Sequence, residues 1–173
     1  SIRTGHTISI TASVTVDDVV IDAGGQVNLT GGTLAIANGA SPNDFSVSGT
    51  FRYSAGTITT TGVLQFANGG KYQHAFTTTS GTIPTAIWAT GSICEVVGYT
   101  AFAADVSGSN QTFSSFVWNA SAQTGVGSPS LLDGFVARDF TVTSTGSGSL
   151  NLGSIGGNTS ITRDYLQTAE NVG

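Results

Sequence analysis

The sequence is poor in several residue types, and the shortages of cysteine and of basic residues exclude particular kinds of site and partner. Its 173 residues contain no methionine, one cysteine, three prolines, and only five Lys or Arg against ten Asp or Glu. The lone Cys94 can form neither an internal disulfide nor a structural zinc site, so we expect a small buried apolar residue. A net charge of −5 without a basic cluster makes nucleic acid a poor partner. Apolar residues are spread evenly, so we expect no membrane-spanning segment.

Small residues take the place of the missing types. The chain holds 26 Thr, 21 Ser and 24 Gly, about two-fifths of its length, and helices use these residues poorly. A helical bundle is therefore excluded. Most apolar residues of the first half fall in alternating pairs separated by Gly-Gly, Asn-Gly or Ser-Gly steps, which indicates short strands joined by sharp corners. These pairs include Ile8/Ile10, Val14/Val16, Val19/Ile21, Val27/Leu29, Leu34/Ile36, Phe45/Val47, Phe51/Tyr53 and Leu64/Phe66.

The chain also repeats itself at nearly constant offsets. Segment 25–34 is similar to 49–58, segment 136–140 is similar to 161–165, and segment 34–39 is similar to 64–69. A repeat of this length, built from short strands, is typical of a solenoid, in which each coil stacks on the one before it. We therefore predict an all-β fold, a right-handed parallel β-helix (β-solenoid) of about seven coils with three short strands per coil.

The predicted organisation is one β-solenoid domain over residues 1–173. Regular coils are expected over 1–79 and 136–173, and looped coils over 80–135, where both tryptophans lie and the apolar pairs are more widely spaced. Neither end of the sequence resembles the cap that closes natural solenoids. We therefore expect a segment of a longer chain, or a protein that stacks end to end with copies of itself.

Several stretches carry a resemblance to a known group of proteins. VTVDDVVIDAGGQVNLTGGTLAIANG, GTITTTGVLQFANGGKYQH and SGTIPTAIWATGSICEVVG resemble stretches of long secreted surface proteins of Bacteroidota. The resemblance implies a parallel β-helix, export by the type IX pathway, an extracellular or cell-surface location, and an adhesive or structural role. Its motifs are structural rather than catalytic.

The acidic residues are the first candidates for chemistry, since many parallel β-helices act on polysaccharides. Asp17, Asp18 and Asp22 form the only acidic cluster in the sequence. Carboxylates of this kind could hold calcium, but no basic residue lies near them, and solvated corner residues are the simpler interpretation. We assign no metal and no cofactor.

A second acidic pair lies one period apart near the end of the chain. Asp139 and Asp164 are expected to stack, with Arg138 and Arg163 beside them. Like charges on adjacent strands are costly unless paired with arginine, so a surface ion ladder is favoured over a pair of hydrolytic carboxylates. With two distant histidines, expected at the surface or at corners, and no recognised catalytic motif, we assign no catalytic residue and expect no enzyme.

Two further sets of residues are candidates for binding and for stability. Tyr72, Tyr99 and Trp118 are candidate carbohydrate contacts, because exposed aromatic rings can stack on sugars; a stalk would bury them instead. Asn38 and Asn68, both in Asn-Gly corners, are predicted to form a stabilising hydrogen-bonded ladder between coils.

Threonine pairs suggest one more function. Thr-x-Thr ranks on a flat solenoid face can bind ice, but the pairs at 57/59/61, 77/79 and 141/143/145 do not recur at one phase in every coil. The function expected first is therefore a stiff structural or adhesive spacer of an extracellular surface or filament protein, with recognition by the loops of 80–135. Its partners would be copies of itself or surface glycans. A carbohydrate-binding or polysaccharide-active module is the alternative, and an ice-binding solenoid is third.

Overall fold

The fold is a stack of short parallel strands. The computed structural model describes residues 1–79, 81–100, 105–124, 130–152 and 159–167. In these ranges the chain is all β, without a helix, and its strands stack as a β-solenoid of about six turns, one fewer than predicted. Among the same residues there is no helix long and apolar enough to cross a membrane. The predicted loops of 80–135 fall partly on residues 80, 101–104 and 125–129, outside the described ranges.

The chain divides by packing into two compact units. The first comprises Ser1–Gln73 with Pro84–Ile93, and the second comprises His74–Ile83 with Cys94–Gly173. The strands in chain order are β1 (Thr7–Ile10), β2 (Val14–Val16), β3 (Val19–Ile21), β4 (Gln26–Ile36), β5 (Phe45–Val47), β6 (Thr50–Thr60), β7 (Leu64–Phe66), β8 (Lys71–His74), β9 (Ile87–Trp88), β10 (Ile93–Val96), β11 (Thr112–Asn119), β12 (Val136–Ser144) and β13 (Ser160–Gln167).

In the first unit, successive turns pair in parallel. The opening turn has the three short strands expected, β1, β2 and β3, whereas β4 and β6 each continue through the first corner as one long strand. Both β1 and β2 pair with β4, which pairs with β6; β3, β5, β7 and β9 form a second sheet in that order. Gln26 pairs with Thr50, so the predicted match of segment 25–34 with segment 49–58 is confirmed as one turn.

Glycine allows the long strands to bend at this corner. Gly32 has a φ of 68°. It lies between Thr30 and Thr33, where the register of β4 with β6 shifts. A Cβ at Gly32 would lie 2.3 Å from the carbonyl carbon of Ala12 in the turn before. The position therefore requires both the left-handed backbone and the missing side chain that glycine supplies.

Inward side chains stack in columns along the first unit. Val27 and Phe51 lie in register over Ile8, and Val47, Phe66 and Trp88 lie in register over Ile21. The rings of Phe66 and Trp88 stack with centroids 4.4 Å apart and planes 8° from parallel. This alternation of inward apolar and outward polar residues is the reason that the two-residue period of the sequence predicts the strands.

The second unit repeats the arrangement with aromatic columns. Thr112 of β11 pairs with Val136 of β12, which pairs with Ser160 of β13. Asp139 pairs with Asp164 and Phe140 pairs with Tyr165, as the match of segment 136–140 with segment 161–165 predicts. Val136 and Ala137 pair one residue earlier than predicted, because the register shifts between Ala137 and Asp139. Four buried phenylalanine rings, with closest centroids 5.0 to 5.9 Å apart, fill the interior here: Phe113, Phe116, Phe135 and Phe140.

Corners between the two sheets of the first unit differ in length. Two residues (17–18) join β2 to β3, eight (37–44) join β4 to β5, and three (61–63) join β6 to β7. The strands on either side keep their register, because Val19 pairs with Phe45 and Phe45 pairs with Leu64. Corner length therefore varies independently of the inward columns.

Candidate functional site

The three candidate sugar-binding aromatics are fully buried. The relative exposure is 0% for Tyr72, Tyr99 and Trp118. None of the three rings can therefore stack on a sugar, and the expectation that they are exposed is wrong. They fill the interior because a large ring on an inward strand position buries more apolar surface than any other residue can. Tyr72 packs edge-on to Phe66, with ring centroids 5.7 Å apart. At these residues the structure has the buried rings expected of a stalk.

Tyr99 belongs to a buried polar pair that the sequence did not reveal. Its hydroxyl lies 3.1 Å from Nε2 of His74, and both side chains are fully buried. Burial, and then the nearby Cys94, raise the pKa of the Tyr99 hydroxyl, which keeps it neutral. His74 is therefore a core residue, contrary to the surface or corner position expected, whereas His6 is exposed as predicted.

Cys94 is buried, as predicted. Burial raises the pKa of its thiol well above the usual value, and the neighbouring carboxylate of Glu95 raises it further. A thiol that is inaccessible and protonated is a poor nucleophile, since the thiolate is the reactive form. Cys94 therefore acts as a small apolar residue of the core.

A glutamine organises the interior next to Trp118. The indole Nε1–H of Trp118 donates to Oε1 of Gln123 at 3.0 Å, and Nε2 of Gln123 donates to the carbonyl of Ser149 at 2.6 Å. Gln123 is 1% exposed, so both hydrogen bonds satisfy groups that water cannot reach. The sequence carries no signal for this role, because one glutamine in a polar stretch resembles any other.

The predicted asparagine ladder is wrong. Asn38 follows β4 and Asn68 follows β7, and these strands belong to different sheets. The spacing between LAIANG and LQFANG is therefore not a turn of the solenoid, because Ile36 pairs with Thr60 rather than with Phe66. The two asparagines lie at different corners and cannot stack on one another.

Asp44 performs the turn-to-turn stabilisation expected of those asparagines. Gly39 N–H donates to its Oδ1 at 2.5 Å, and Val63 N–H, from the next turn, donates to its Oδ2 at 2.6 Å. These two hydrogen bonds lower the pKa of the carboxyl group, with Gly39 as the larger cause. Asp44 is fully buried, and the backbone amides explain how an ionised carboxylate can be accommodated there.

The acidic cluster has a different membership from the one predicted. Asp17 and Asp18 meet Asp44 rather than Asp22, with one carboxylate oxygen of each within 4.8 Å of the others. Asp18 has a φ of 53° and its Oδ1 accepts a hydrogen bond from Ser41 N–H at 3.3 Å. Such oxygens are chemically able to bind a hard cation. Both oxygens of Asp44, however, already accept backbone hydrogen bonds.

The predicted ion ladder near the end of the chain is confirmed. Arg163 donates to both carboxylate oxygens of Asp139, at 2.6 and 2.7 Å, while Arg138 contacts Asp139 and Arg163 contacts Asp164. The Arg163 hydrogen bond is the largest cause of a lowered pKa at Asp139, and the same bond raises the pKa of Arg163. The group is partly solvated, as expected of a surface ladder.

A set of small hydroxyl and methyl side chains shares the outer face of the sheet formed by β2, β4 and β6. Thr15 pairs with Ala35, which pairs with Thr59, and Thr33 pairs with Thr57. We call this surface the threonine face; its members are Ser13, Thr15, Thr33, Ala35, Ala37, Thr57, Thr59 and Thr61. These residues share one phase over three turns. The sequence hides that phase because the offset between paired residues changes: Thr15 pairs with residue 35, whereas Ala35 pairs with residue 59.

Comparison with protein-family models, with curated proteins and with solved structures finds no match for this chain.

Proposed function

We propose that this chain is a stiff structural or adhesive element of a bacterial extracellular surface or filament protein, and that it is not an enzyme. One observation carries the proposal. In each unit, successive turns are joined by parallel ladders and by inward columns of apolar side chains, such as Ile21, Val47, Phe66 and Trp88. Stacked turns that contact only their neighbours resist extension through many small, repeated interactions.

The size of those interactions supports a load-resisting role. A buried Phe or Leu side chain contributes about 1.5–3 kcal/mol relative to exposure, and every turn of the first unit adds several such residues. Each turn also adds backbone hydrogen bonds to the turn before, such as Ala67 N–H to the Val47 carbonyl at 2.8 Å. Removing one turn therefore exposes the next, and unfolding proceeds in steps.

The extracellular location rests on composition and resemblance. Only 9% of the residues are charged, the chain is acidic, and its repeated stretches resemble those of secreted Bacteroidota surface proteins. We extend the proposal to export by the type IX pathway and to recognition through the loops of residues 80–135. Secretion can be tested by locating the full-length protein in membrane, periplasmic and cell-surface fractions of its native host.

Self-association is the partner that we propose. The opening turn leaves inward-pointing Ile8 and Val14 exposed by 47% and 38%, and a further turn supplied by a second copy would cover them. Sedimentation velocity across a concentration series should then show assemblies that Ile8→Lys weakens. Val20→Lys is the matched control, since Val20 is 40% exposed on an outward position of β3. Equal association by both variants would exclude this mode of stacking.

Single-molecule force spectroscopy tests the structural role. The protein is placed between reference domains of known unfolding force and pulled from both ends. A spacer should resist and then lengthen in steps of about 80 Å, because one turn, from Gln26 to Thr50, extends at about 3.3–3.6 Å per residue. Extension without a resisted step would contradict the proposal.

A glycan array tests the alternative of a carbohydrate-binding module. Saturable binding to a defined glycan would favour that alternative over a purely mechanical role. Because Tyr72, Tyr99 and Trp118 are buried, the binding site would then be sought first by replacing loop segments of residues 80–135.

A further inference from the structure

The corner that joins β4 to β5 contains an exposed Asn-Gly pair, Asn38 and Gly39. The last backbone hydrogen bond before it runs from Ala37 N–H to the Val16 carbonyl of the preceding turn, at 2.9 Å. The side chain of Asn38 is exposed and makes no hydrogen bond to the described part of the chain. Because neither the ladder nor a side-chain contact holds Asn38, its carboxamide can turn towards the next backbone nitrogen.

An Asn-Gly pair of this kind can modify itself. The backbone nitrogen of the glycine attacks the side-chain carbonyl carbon of the asparagine, the new C–N bond closes a succinimide ring, and ammonia leaves. Water then opens the ring to give aspartate or isoaspartate. Glycine favours ring closure because it has no Cβ and is conformationally permissive. The remaining requirement is a base that takes the proton of the glycine N–H as the ring closes.

A carboxylate contacts that proton at this corner. The Gly39 N–H donates to Oδ1 of Asp44 at 2.5 Å, which is the direct contact required of a general base. The Val63 N–H donates to Oδ2 at 2.6 Å and so fixes the orientation of the carboxylate. These hydrogen bonds lower the pKa of Asp44, which is therefore ionised at neutral pH. The charged groups beside it are Asp17 and Asp18, whose negative charge favours uptake of a proton.

The second Asn-Gly corner of the first unit lacks a base at the same atom. Asn68 is exposed like Asn38 and is also followed by a glycine, so the two pairs have the same intrinsic chemistry. The Gly69 N–H, however, donates to the carbonyl of Gly91 at 3.1 Å. A peptide carbonyl is far too weak a base to take an amide proton. The two corners therefore compare one motif with and without a carboxylate on the attacking nitrogen.

We propose that Asn38 is an autocatalytic modification site, at which Asp44 is the general base for succinimide formation and deamidation. As the nitrogen of Gly39 bonds to Cγ of Asn38, its proton passes to Asp44. The carboxyl group then returns this proton to the departing NH₂, which leaves as ammonia. The product adds a negative charge beside Asp17 and Asp18, so the modified corner should be held less tightly. This activity is separate from the mechanical role proposed above, and either can hold without the other.

Peptide mapping by mass spectrometry measures both corners in one sample. The whole folded protein is incubated at neutral pH, and the conversion of each asparagine is followed over time. Asn38 should convert faster than Asn68, and faster than the same pair in a synthetic peptide of residues 34–41. A positioned general base contributes about 10²–10⁴-fold, so Asp44→Asn should slow conversion at Asn38 by about 10²-fold and leave Asn68 unchanged.

The pH profile distinguishes catalysis from a merely loose corner. In the peptide the rate should rise in proportion to the hydroxide concentration. In the folded protein the base at Asn38 is already ionised above about pH 5, so the rate there should be nearly independent of pH up to about pH 8. The matched control is Asp17→Asn, which removes a neighbouring charge but leaves Asp44 on the Gly39 N–H, and it should keep the flat profile.

Circular dichroism establishes that each variant is folded, and if Asp44→Asn does not fold, the wild-type comparison with Asn68 and with the peptide decides the question. Conversion at Asn38 that is no faster than in the peptide would overturn the proposal. Faster conversion in folded Asp44→Asn than in the wild type would also overturn it, because it would show that Asp44 restrains the amide and protects the asparagine.

Discussion

Phe66→Ala should remove a fully buried aromatic side chain from the core of the first unit. Phe66 is fully buried, lies in register over Val47, stacks on Trp88 at 4.4 Å and meets Tyr72 edge-on at 5.7 Å. Truncating a buried phenylalanine costs about 3–5 kcal/mol, and aromatic pairs contribute about 0.5–1.5 kcal/mol beyond burial. We therefore expect a loss of about 4 kcal/mol, a large part of the stability of an ordinary domain.

The loss can be measured and located. Urea denaturation followed by circular dichroism gives the free energy of unfolding, and hydrogen exchange reports on two amides beside the cavity. Ala67 N–H donates to Val47 at 2.8 Å and Ala89 N–H donates to Phe66 at 3.0 Å, so both should exchange faster. The control is Gln65→Ala, on the outward side of the same strand, which should change stability by less than about 0.5 kcal/mol. A Phe66→Ala loss below about 1 kcal/mol would refute the argument that stacked columns hold the turns together.

Three further predictions concern the corners and the core. Gly32→Ala should lower the thermal stability of the protein more than Gly5→Ala does. Both glycines have a positive φ, which costs an L-residue about 1–2 kcal/mol, but only at Gly32 would the new Cβ meet the backbone of the preceding turn. Equal losses in the two variants would contradict this close approach. The pKa of Asp44 is lowered in the folded state, so the stability that its ionised carboxylate contributes should be complete above its unfolded pKa of about 4. That stability should be lost as the pH falls through the lower folded pKa. The melting temperature of Asp44→Asn should therefore fall less on acidification than that of the wild type, and an equal fall would contradict the role of the carboxylate. Cys94 should react with a thiol reagent only as fast as the protein opens, and immediate modification of the native chain would show the thiol to be accessible.

The regular part of the fold could be predicted because stacking imposes a phase on the sequence. Val27 and Phe51 must both point inward at the same height of their turns, so the spacing between them records the pairing itself. The same reasoning predicts Asp139 beside Asp164, and it also predicts that arginine neutralises the pair. Wherever the backbone hydrogen bonds between turns fix the spacing, similarity between two segments indicates that they pair in adjacent turns.

The corners could not be predicted in this way, because their lengths are not tied to the ladder. Asn38 and Asn68 share a local motif but lie at different corners, so a sequence match gave a false stack. Asp44 could not be predicted because its partners leave no mark in the sequence. It ends the longest of these corners and accepts hydrogen bonds only from the backbone amides of Gly39 and Val63, which any residue could supply. Burial of Tyr99 beside His74 was equally hidden, since alternation alone does not distinguish inward from outward aromatic residues.

The unequal corners of the first unit have a consequence for how such a chain can change over evolutionary time. Residues can be inserted or deleted between the two sheets without moving any strand, provided that one group, such as the Asp44 carboxylate, satisfies the amides at the corner. The corners at 17–18, 37–44 and 61–63 are three solutions found at equivalent positions of adjacent turns. A foreign peptide grafted into residues 40–43 should therefore be displayed on an unchanged scaffold, and natural variants are expected to differ first at this edge.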